Sequence, residues 1–222
     1  IEDNSRSSKT GTGVGQIHIN GGTDLSNGDV SAITFSTNVL TQVSSIIGNS
    51  ITSSGSNLFF GTSNSYSSGA TNTSLQIDPA GHVTKPLQSA FNVFSNSTQS
   101  SISTGYTTVQ MDAEVFDVNA DFDVSTYTFT APVTGKYLLQ AHVSIRELPL
   151  NAGWFLVGIL TSNGAYNFSR TTTPYDADFG GTLFTLPVTV VADMDANDTA
   201  YVRAYQYSGT TQTDIYGHSS NP

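Results

Sequence analysis

The chain has 222 residues, a formal net charge of −10 and no cysteine, and only 11% of its residues are charged. This length allows one large or two small domains, and the lack of cysteine excludes a disulfide framework. The seven basic residues form no phosphate-binding patch, and no apolar run approaches the roughly 18 residues that span a bilayer, so we expect neither a nucleic-acid partner nor membrane insertion.

The first 85 residues are rich in short, strand-like runs. The chain begins with Ile1-Glu2-Asp3, without Met and without a signal-like apolar region, and we expect a fragment or a processed product. The runs are separated by clusters of Gly, Asn, Asp and Ser, including the turn dipeptide Asn27-Gly28. The predicted strands are 16–19, 31–37, 44–47, 57–63 and 74–78.

These runs contain few apolar residues each, and they show a weak internal repeat. At an offset of 25 residues, the triplet Ile33, Phe35, Thr37 aligns with the triplet Leu58, Phe60, Thr62. A period near 25 suits solenoid-like β architectures, whose units must stack on neighbours to bury an apolar face. We therefore predict that residues 1–85 form a β-rich trimeric stalk in which three chains share one apolar axis. The alternative is a small independent β-domain or a loosely ordered linker.

The tract LQIDPAGHVTKPLQSAF (75–91) is predicted to join this stalk to a second domain, 86–222. Asp78-Pro79-Ala80-Gly81 predicts a turn, His82-Val83 a short strand, and Pro86 ends that strand. Beyond the joint, short runs at regular spacing without helical periodicity predict an all-β sandwich. These runs are 90–94, 107–118, 126–130, 135–148, 154–161, 166–171, 182–192, 200–207 and 213–217.

The clearest predicted strand follows a turn signalled by Pro132 and Gly135. Its residues alternate with a period of two, which predicts a half-buried antiparallel strand with Leu138 as the apolar exception on the polar face. The residues predicted on the buried face are Tyr137, Leu139, Ala141, Val143 and Ile145.

The same region carries a series at fixed spacing: Met111, Asp117, Phe122, Phe129, Gly135, Tyr137, Leu139 and Ala141. The series resembles the signature of the C1q domain. Five positions agree in type, and Met111, Leu139 and Ala141 are relaxed to other apolar residues. Tracts 194–202 and 215–218 are similar to the family's last strands, with Asn197 where Gly is usual. The resemblance covers about residues 88–219 and implies a ten-stranded C1q/TNF-like jelly-roll that assembles as a homotrimer.

The joint resembles the stalk-to-head junction of phage virion fibre proteins. The segments that carry this resemblance are IDPAGHV (77–83) and PLQSAF (86–91). It implies a virion location, contacts with other virion proteins through the N-terminal side, and a head that attaches to a glycan or protein of the host surface.

Two acidic loops carry side-chain oxygens at alternate positions. Calcium binds six to eight oxygen ligands, and carboxylates clustered on a loop could supply several of them. The candidate ligands are Asp117, Asn119 and Asp121 in one loop and Asp193 and Asp195 in the other. Neither loop has the Gly and the Glu that an EF-hand carries at its sixth and twelfth positions. We favour turn-forming residues between strands and keep calcium as the alternative, since some C1q-like heads bind it; no other cofactor is expected.

The sequence offers no catalytic constellation. The histidines His18, His82, His142 and His218 lie on separate predicted elements, so we expect no shared zinc site. No Gly-x-Ser-x-Gly motif, P-loop or Rossmann fingerprint is present. We therefore predict a protein that is not an enzyme. A glycan depolymerase, which needs paired carboxylates facing a groove, is the less favoured alternative.

Aromatic residues are the best candidates for binding, since planar rings with polar tips suit sugars and protein partners. Tyr201, Arg203, Tyr205 and Tyr207 share one face of a predicted strand, and we expect Tyr201 and Tyr205 in the core or a subunit interface. Trp154 begins a strongly apolar strand and is predicted in the core. The candidate binding residues are Tyr166, Tyr175, Asp176, Asp178, Phe179, Tyr207 and Tyr216.

Two classes of function remain. The first, which we favour, is a structural and adhesive protein, the distal receptor-binding part of a phage fibre, whose three heads gain strength by avidity. The second is a secreted, extracellular C1q-like module of a cell that recognises protein or glycan, and its sequons, such as Asn72-Thr73-Ser74, would carry glycans. The absence of a collagen-like Gly-x-y run before the head favours the first class.

Overall fold

The computed structural model describes residues 16–20, 30–36, 43–52, 55–64, 70–172 and 183–219, with side chains from residue 57 onward except that of residue 167. In these residues every regular element is a β-strand, which confirms the all-β prediction. None of the described residues forms a helix long and apolar enough to cross a membrane. The chain divides into two compact units, Ile1–Gln88 and Ser89–Pro222, whereas the sequence predicts the joint after residue 85.

The first unit contains one antiparallel sheet, in which each described strand pairs with the next along the chain. Its strands are β1 (Gln16–Asn20), β2 (Val30–Ser36), β3 (Val43–Thr52), β4 (Gly55–Thr62), β5 (Asn72–Ile77) and β6 (Val83–Thr84). The predicted strands are confirmed with shifted ends. β3 is longer than predicted because its polar end also pairs with the start of β4. The turn predicted at Asn27-Gly28 lies outside the described residues.

Backbone register aligns a row of apolar positions across five strands of this sheet. Ile19 lies opposite Ile33, Ile33 opposite Ile47, Ile47 opposite Phe60, and Phe60 opposite Leu75. Positions directly opposite each other share a face of the sheet. These five positions, called the apolar row below, therefore run continuously across one face.

The two similar segments of the internal repeat are strands of this one sheet, and they do not form stacked solenoid units. Ile33 aligns through Ile47 with Phe60, and not with Leu58 as the offset of 25 implies. β2 and β4 flank β3 on opposite sides, so the two strands with similar sequences face the same neighbour. The two similar strands therefore lie in one layer, on either side of β3, and are not stacked on each other.

The turn predicted between β5 and β6 is confirmed, and Asp78 organises it. Its carboxylate accepts hydrogen bonds from the backbone N–H of Ala80 at 2.9 Å and of His82 at 2.8 Å, and lies 2.8 Å from the His82 Nδ1. The hydrogen bond with the His82 side chain is the main cause that lowers the pKa of Asp78. Gly81 takes a φ of 90° in this turn, a conformation that glycine adopts at little cost.

The described part of the second unit contains twelve strands. They are β7 (Phe91–Phe94), β8 (Ser97–Gln99), β9 (Gly105–Thr108), β10 (Ala113–Asp117), β11 (Phe122–Asp123), β12 (Thr128–Thr130), β13 (Gly135–Arg146), β14 (Trp154–Thr161), β15 (Gly164–Thr171), β16 (Phe184–Met194), β17 (Thr199–Tyr207) and β18 (Asp214–His218). One sheet has the order β11-β12-β17-β14-β15, with β9 also on β17; a second has the order β16-β13-β18-β8; β10 and β7 form a ribbon. These sheets form the predicted sandwich.

The hydrophobic core of this unit is built from residues of both sheets, as alternation predicts. In β13, Leu139, Val143 and Ile145 are buried, whereas Leu138 is 70% exposed, which confirms the predicted faces. From the other sheet, Phe155 is fully buried. The interior is therefore filled by alternate residues of facing strands.

The single strand predicted over 107–118 is wrong, because the chain changes sheets there. Val109 N–H still donates to the Val202 carbonyl at 3.0 Å, beside β17. Gln110 N–H instead donates to the Gln99 side chain at 3.3 Å, and β10 then pairs with β7. The short strands β8 and β11 were not predicted, since two or three residues are too few to show a period.

Three aromatic residues of the fixed-spacing series, Phe122, Phe129 and Tyr137, pack in one cluster. Phe122 pairs across strands with Phe129, and the ring of Phe129 lies 5.4 Å from that of Tyr137. Phe91 contacts both phenylalanines, with ring centroids 5.2 and 5.0 Å apart. The Asp117 carboxylate accepts the Phe122 backbone N–H at 2.8 Å. The spacing therefore encodes core packing and turn closure rather than a binding site.

Candidate functional site

The first acidic loop uses its carboxylate for its own backbone. Asp117 accepts hydrogen bonds from the backbone N–H groups of Asp121, at 3.2 Å, and Phe122. Asn119 and Asp121 are half-buried, and Oδ2 of Asp121 is buried without a hydrogen-bond partner among the described residues. The arrangement matches a turn closed by an aspartate.

The second acidic loop is tied to neighbouring strands and loops. Lys136 Nζ lies 2.9 Å from the Asp193 carboxylate, and both side chains are well exposed. The Thr134 hydroxyl donates to Asp195 at 3.4 Å. Asn197 has a φ of 73°, which confirms that this position needs the left-handed backbone that Asn tolerates.

Asp198 joins two loops, the one between β14 and β15 and its own between β16 and β17. It accepts hydrogen bonds from the Ser162 hydroxyl at 2.8 Å, from the Asp195 backbone N–H at 2.7 Å, and from the Asn163 amide. The Ser162 hydroxyl is the main cause that lowers the pKa of Asp198, and the Asp195 N–H and the Asn163 side chain add to it. Asp198 therefore acts as a structural link at this end of the sandwich.

No group of three or more His, Asp or Glu side chains converges as a metal site among the described residues. His82 bonds to Asp78, and Gln140 lies 3.2 Å from His142. The side chain of His18 lies outside the description. Calcium at the acidic loops stays a prediction.

The predicted binding residues fall into three groups. Tyr175, Asp176, Asp178 and Phe179 lie outside the described residues. Tyr166 packs against the core from the edge strand β15. Tyr216 is half-buried, with the Arg146 guanidinium 5.8 Å from its ring centroid. Among the predicted binding residues that the structure describes, only Tyr207, 51% exposed, belongs to a larger surface.

Tyr207 is part of an aromatic and cationic surface on the outer face of the sheet that contains β14 and β17. Register places Trp154 opposite Tyr207, and Tyr205 between Leu156 and Tyr106. Because Phe155 and Val157 are buried, their neighbours Trp154 and Leu156 face away from the core. The residues of this aromatic–arginine surface are Tyr106, Trp154, Arg170, Arg203, Tyr205 and Tyr207.

The rings of this surface are in mutual contact. Trp154 stacks on Tyr205, with centroids 5.0 Å apart, and on Tyr207, with centroids 5.3 Å apart and ring planes at 11°. Tyr106 contacts Tyr205 at 4.5 Å. Such pairs stabilise each other by about 0.5–1.5 kcal/mol beyond the area that they bury. The surface is therefore ordered before any ligand arrives.

Two guanidinium groups lie over these rings. Arg170 is centred 5.0 Å from the Trp154 ring and Arg203 3.7 Å from the Tyr106 ring. Neither forms an ion pair with a described residue, and Nε of Arg203 is buried without a hydrogen-bond partner there. Attraction to the ring faces holds both cations in place.

The prediction of Trp154 in the core is wrong. The run WFLVGILT (154–161) has no polar side chain before Thr161, so its sequence does not show which face is buried; the register with Tyr207 places Trp154 on the outer face. Tyr205 likewise lies on this outer face, half-buried by its neighbouring rings. Sequence reasoning also missed Tyr106 and Arg170. Their only signal in the sequence was that Arg170 lies in a predicted strand and Tyr106 directly precedes one. The strands that bring them together are distant in the chain.

Comparison with known proteins does not assign this chain to a family. No family model matches the chain, and no curated protein matches it. Among solved structures, the globular domain of zebrafish complement 1qA protein is similar over 57% of this chain and 91% of that chain, with 16% identity and a TM-score of 0.42. The assignment as an all-β sandwich rests on the strands and their pairing in this protein.

The first unit also exposes apolar side chains. Leu58, Phe60 and Val83 are all more than a third exposed, and Phe60 belongs to the apolar row. No hydrophobic side chain is buried among the described residues of this unit. Within that description, a single layer leaves one apolar face without a cover.

Proposed function

We propose that this protein is a non-enzymatic adhesive module, the distal part of a phage virion fibre that attaches to a glycan or protein of the host surface. The observation that carries this proposal is the aromatic–arginine surface, whose rings contact one another on the outer face of the sheet that contains β14 and β17. Rigid aromatic side chains lose little entropy on binding and are enriched where proteins recognise partners. The resemblance of the joint to fibre junctions supports the virion context, with other virion proteins on the N-terminal side.

The protein is proposed to act as a homotrimer. The apolar row supports this, since Phe60 remains 38% exposed in a single chain although each apolar side chain gains about 1.5–3 kcal/mol when fully buried. Three copies that face one axis would cover their rows mutually. Three copies of the second unit would then bind one surface together, and avidity strengthens weak single contacts.

The full chain provides the test. Sedimentation is expected to show a species of three times the 23.4 kDa of one chain, and the labelled protein is expected to bind at least one of a panel of bacterial strains saturably. Phe60→Ser should weaken assembly, and the matched exposed change Val115→Ser in β10 should not. A folded single chain that binds no strain saturably contradicts the proposal.

Mass spectrometry of native material separates this function from the secreted cellular module. Glycans are expected on the sequons in the cellular case only. Their presence, for example on Asn96 near the start of β8, would favour the cellular module over the virion fibre.

A further inference from the structure

We propose that the aromatic–arginine surface binds a sugar residue that carries a carboxylate, such as a uronic or a sialic acid within a glycan. This inference rests on the proposed adhesive function and names the ligand class for it. The surface combines two features that such a sugar requires. It has exposed aromatic surface on Tyr106 and Tyr207 for the C–H groups of the pyranose, and two guanidinium groups for the acid group.

The exposed rings frame the site. Tyr106 is 63% exposed and Tyr207 51% exposed, and Trp154 contacts Tyr205 and Tyr207 from the neighbouring strand β14. Each phenol presents a hydroxyl that can donate to or accept from a sugar hydroxyl. A sugar can therefore contact apolar ring carbon and polar oxygen at the same place.

The two arginines select for an acid. Lys136 and Arg146 are neutralised by Asp193 and Asp214, whereas Arg170 and Arg203 have no carboxylate partner among the described residues. In a chain of net charge −10, guanidinium groups that have no carboxylate partner in the described part of the chain are the places where we expect an anion to bind. The planar fork of an arginine binds a carboxylate through two parallel hydrogen bonds.

Other occupants fit less well. A nucleic acid needs many phosphate contacts, and the surface offers two cations in an acidic protein. A neutral glycan would leave both arginines without an anion. A second copy of the chain is also negatively charged, but it would need an acidic patch that matches the two arginines. The self-association of Arg170→Gln tests this alternative.

The chain has one tryptophan, and it lies at the centre of the surface, so its fluorescence reports on binding directly. The full chain is titrated with trigalacturonic acid and its methyl ester, and with 3′-sialyllactose and lactose. At least one acid is expected to bind about tenfold or more tightly than its neutral counterpart, since one charge-assisted contact contributes about 1.5–3 kcal/mol. The two acids distinguish the uronic from the sialic source.

Four variants locate the site. Arg170→Gln and Tyr207→Ala should each weaken binding of the acid by about tenfold or more. The controls Lys136→Gln and Phe116→Ala remove an exposed cation and an exposed ring elsewhere in the second unit, and they should leave it unchanged. Unfolding midpoints close to that of the parent chain show that Arg170→Gln and Tyr207→Ala fold.

Three results would overturn the inference. They are equal binding of acid and neutral sugars, no binding of either acid, and acid binding that Arg170→Gln leaves unchanged. Loss of self-association in Arg170→Gln, without any sugar effect, would assign the surface to a second copy. Saturable attachment to cells that survives all four variants would retain the proposed function and reject this site only.

Discussion

The two units of this protein differ in how far they bury their apolar side chains. The second unit places two sheets face to face, and side chains such as Phe129 and Phe155 are almost completely buried. The first unit arranges its described strands in one layer, and Phe60 keeps more than a third of its surface exposed. A sheet with one apolar face needs a second layer. The second unit supplies that layer itself, whereas the described part of the first unit contains one layer.

The contrast suggests that stability and assembly are separate properties of the two units. The second unit should lose stability through single core changes at any protein concentration. The first should respond to changes in its apolar row in a way that depends on concentration, because mass action links folding to association.

The largest effect is expected from Phe129→Ala. This side chain is 2% exposed and contacts both Phe91 and Tyr137. Its removal should lower the free energy of unfolding by about 3–5 kcal/mol, as denaturant unfolding would measure. The matched control Val115→Ala, at an exposed site, should change it by less than about 0.5 kcal/mol. Similar losses in both variants would show that the second unit lacks an independent core.

Arg146→Ala is expected to cause the next largest loss in the free energy of unfolding. Arg146 donates to the buried Asp214 carboxylate through Nε and a terminal nitrogen, both at 3.0 Å, and Asp214 also accepts the Ser101 backbone N–H. Leaving a buried carboxylate without its cation costs about 3 kcal/mol. Asp214→Asn combined with Arg146→Ala should recover part of the loss. A double variant as unstable as the sum of the single ones would contradict this coupling.

Phe60→Ser tests the first unit. We expect a loss of about 1–2 kcal/mol per chain, and a shift toward smaller species that grows on dilution in sedimentation. Val115→Ser gives the comparison at a similarly exposed site of the second unit. If both variants behave alike and neither depends on concentration, the apolar row is not an interface.

The smallest effect concerns acid stability. The folded pKa of Asp198 is lowered by Ser162, so its contribution to stability is fully present above its unfolded pKa and is lost as the pH falls through the folded pKa. Asp198→Asn should therefore unfold more easily near neutral pH and approach the parent chain in acid. Thermal unfolding across that range is the measurement, and a difference that grows toward low pH would contradict the assignment.

The sequence by itself determined the local features. Alternation in β13 gave the buried face with Leu138 as its exposed exception, because a period of two survives wherever one face is wet and the other dry. The turn at Asp78 and the left-handed Asn197 followed from side-chain chemistry that acts within a few residues. The residues of the fixed-spacing series were recognised, although their meaning as one packed cluster was not.

Only the tertiary structure decided which distant strands meet. The apolar run of β14 has no polar side to orient it, so its pairing with β17 set Trp154 outward and built the aromatic–arginine surface. Tyr106 and Arg170 reached that surface from β9 and β15, far apart in the chain. Hydrogen bonds between strands fix the register and therefore these contacts. The hydrophobic pattern of one strand does not identify the strand with which it pairs.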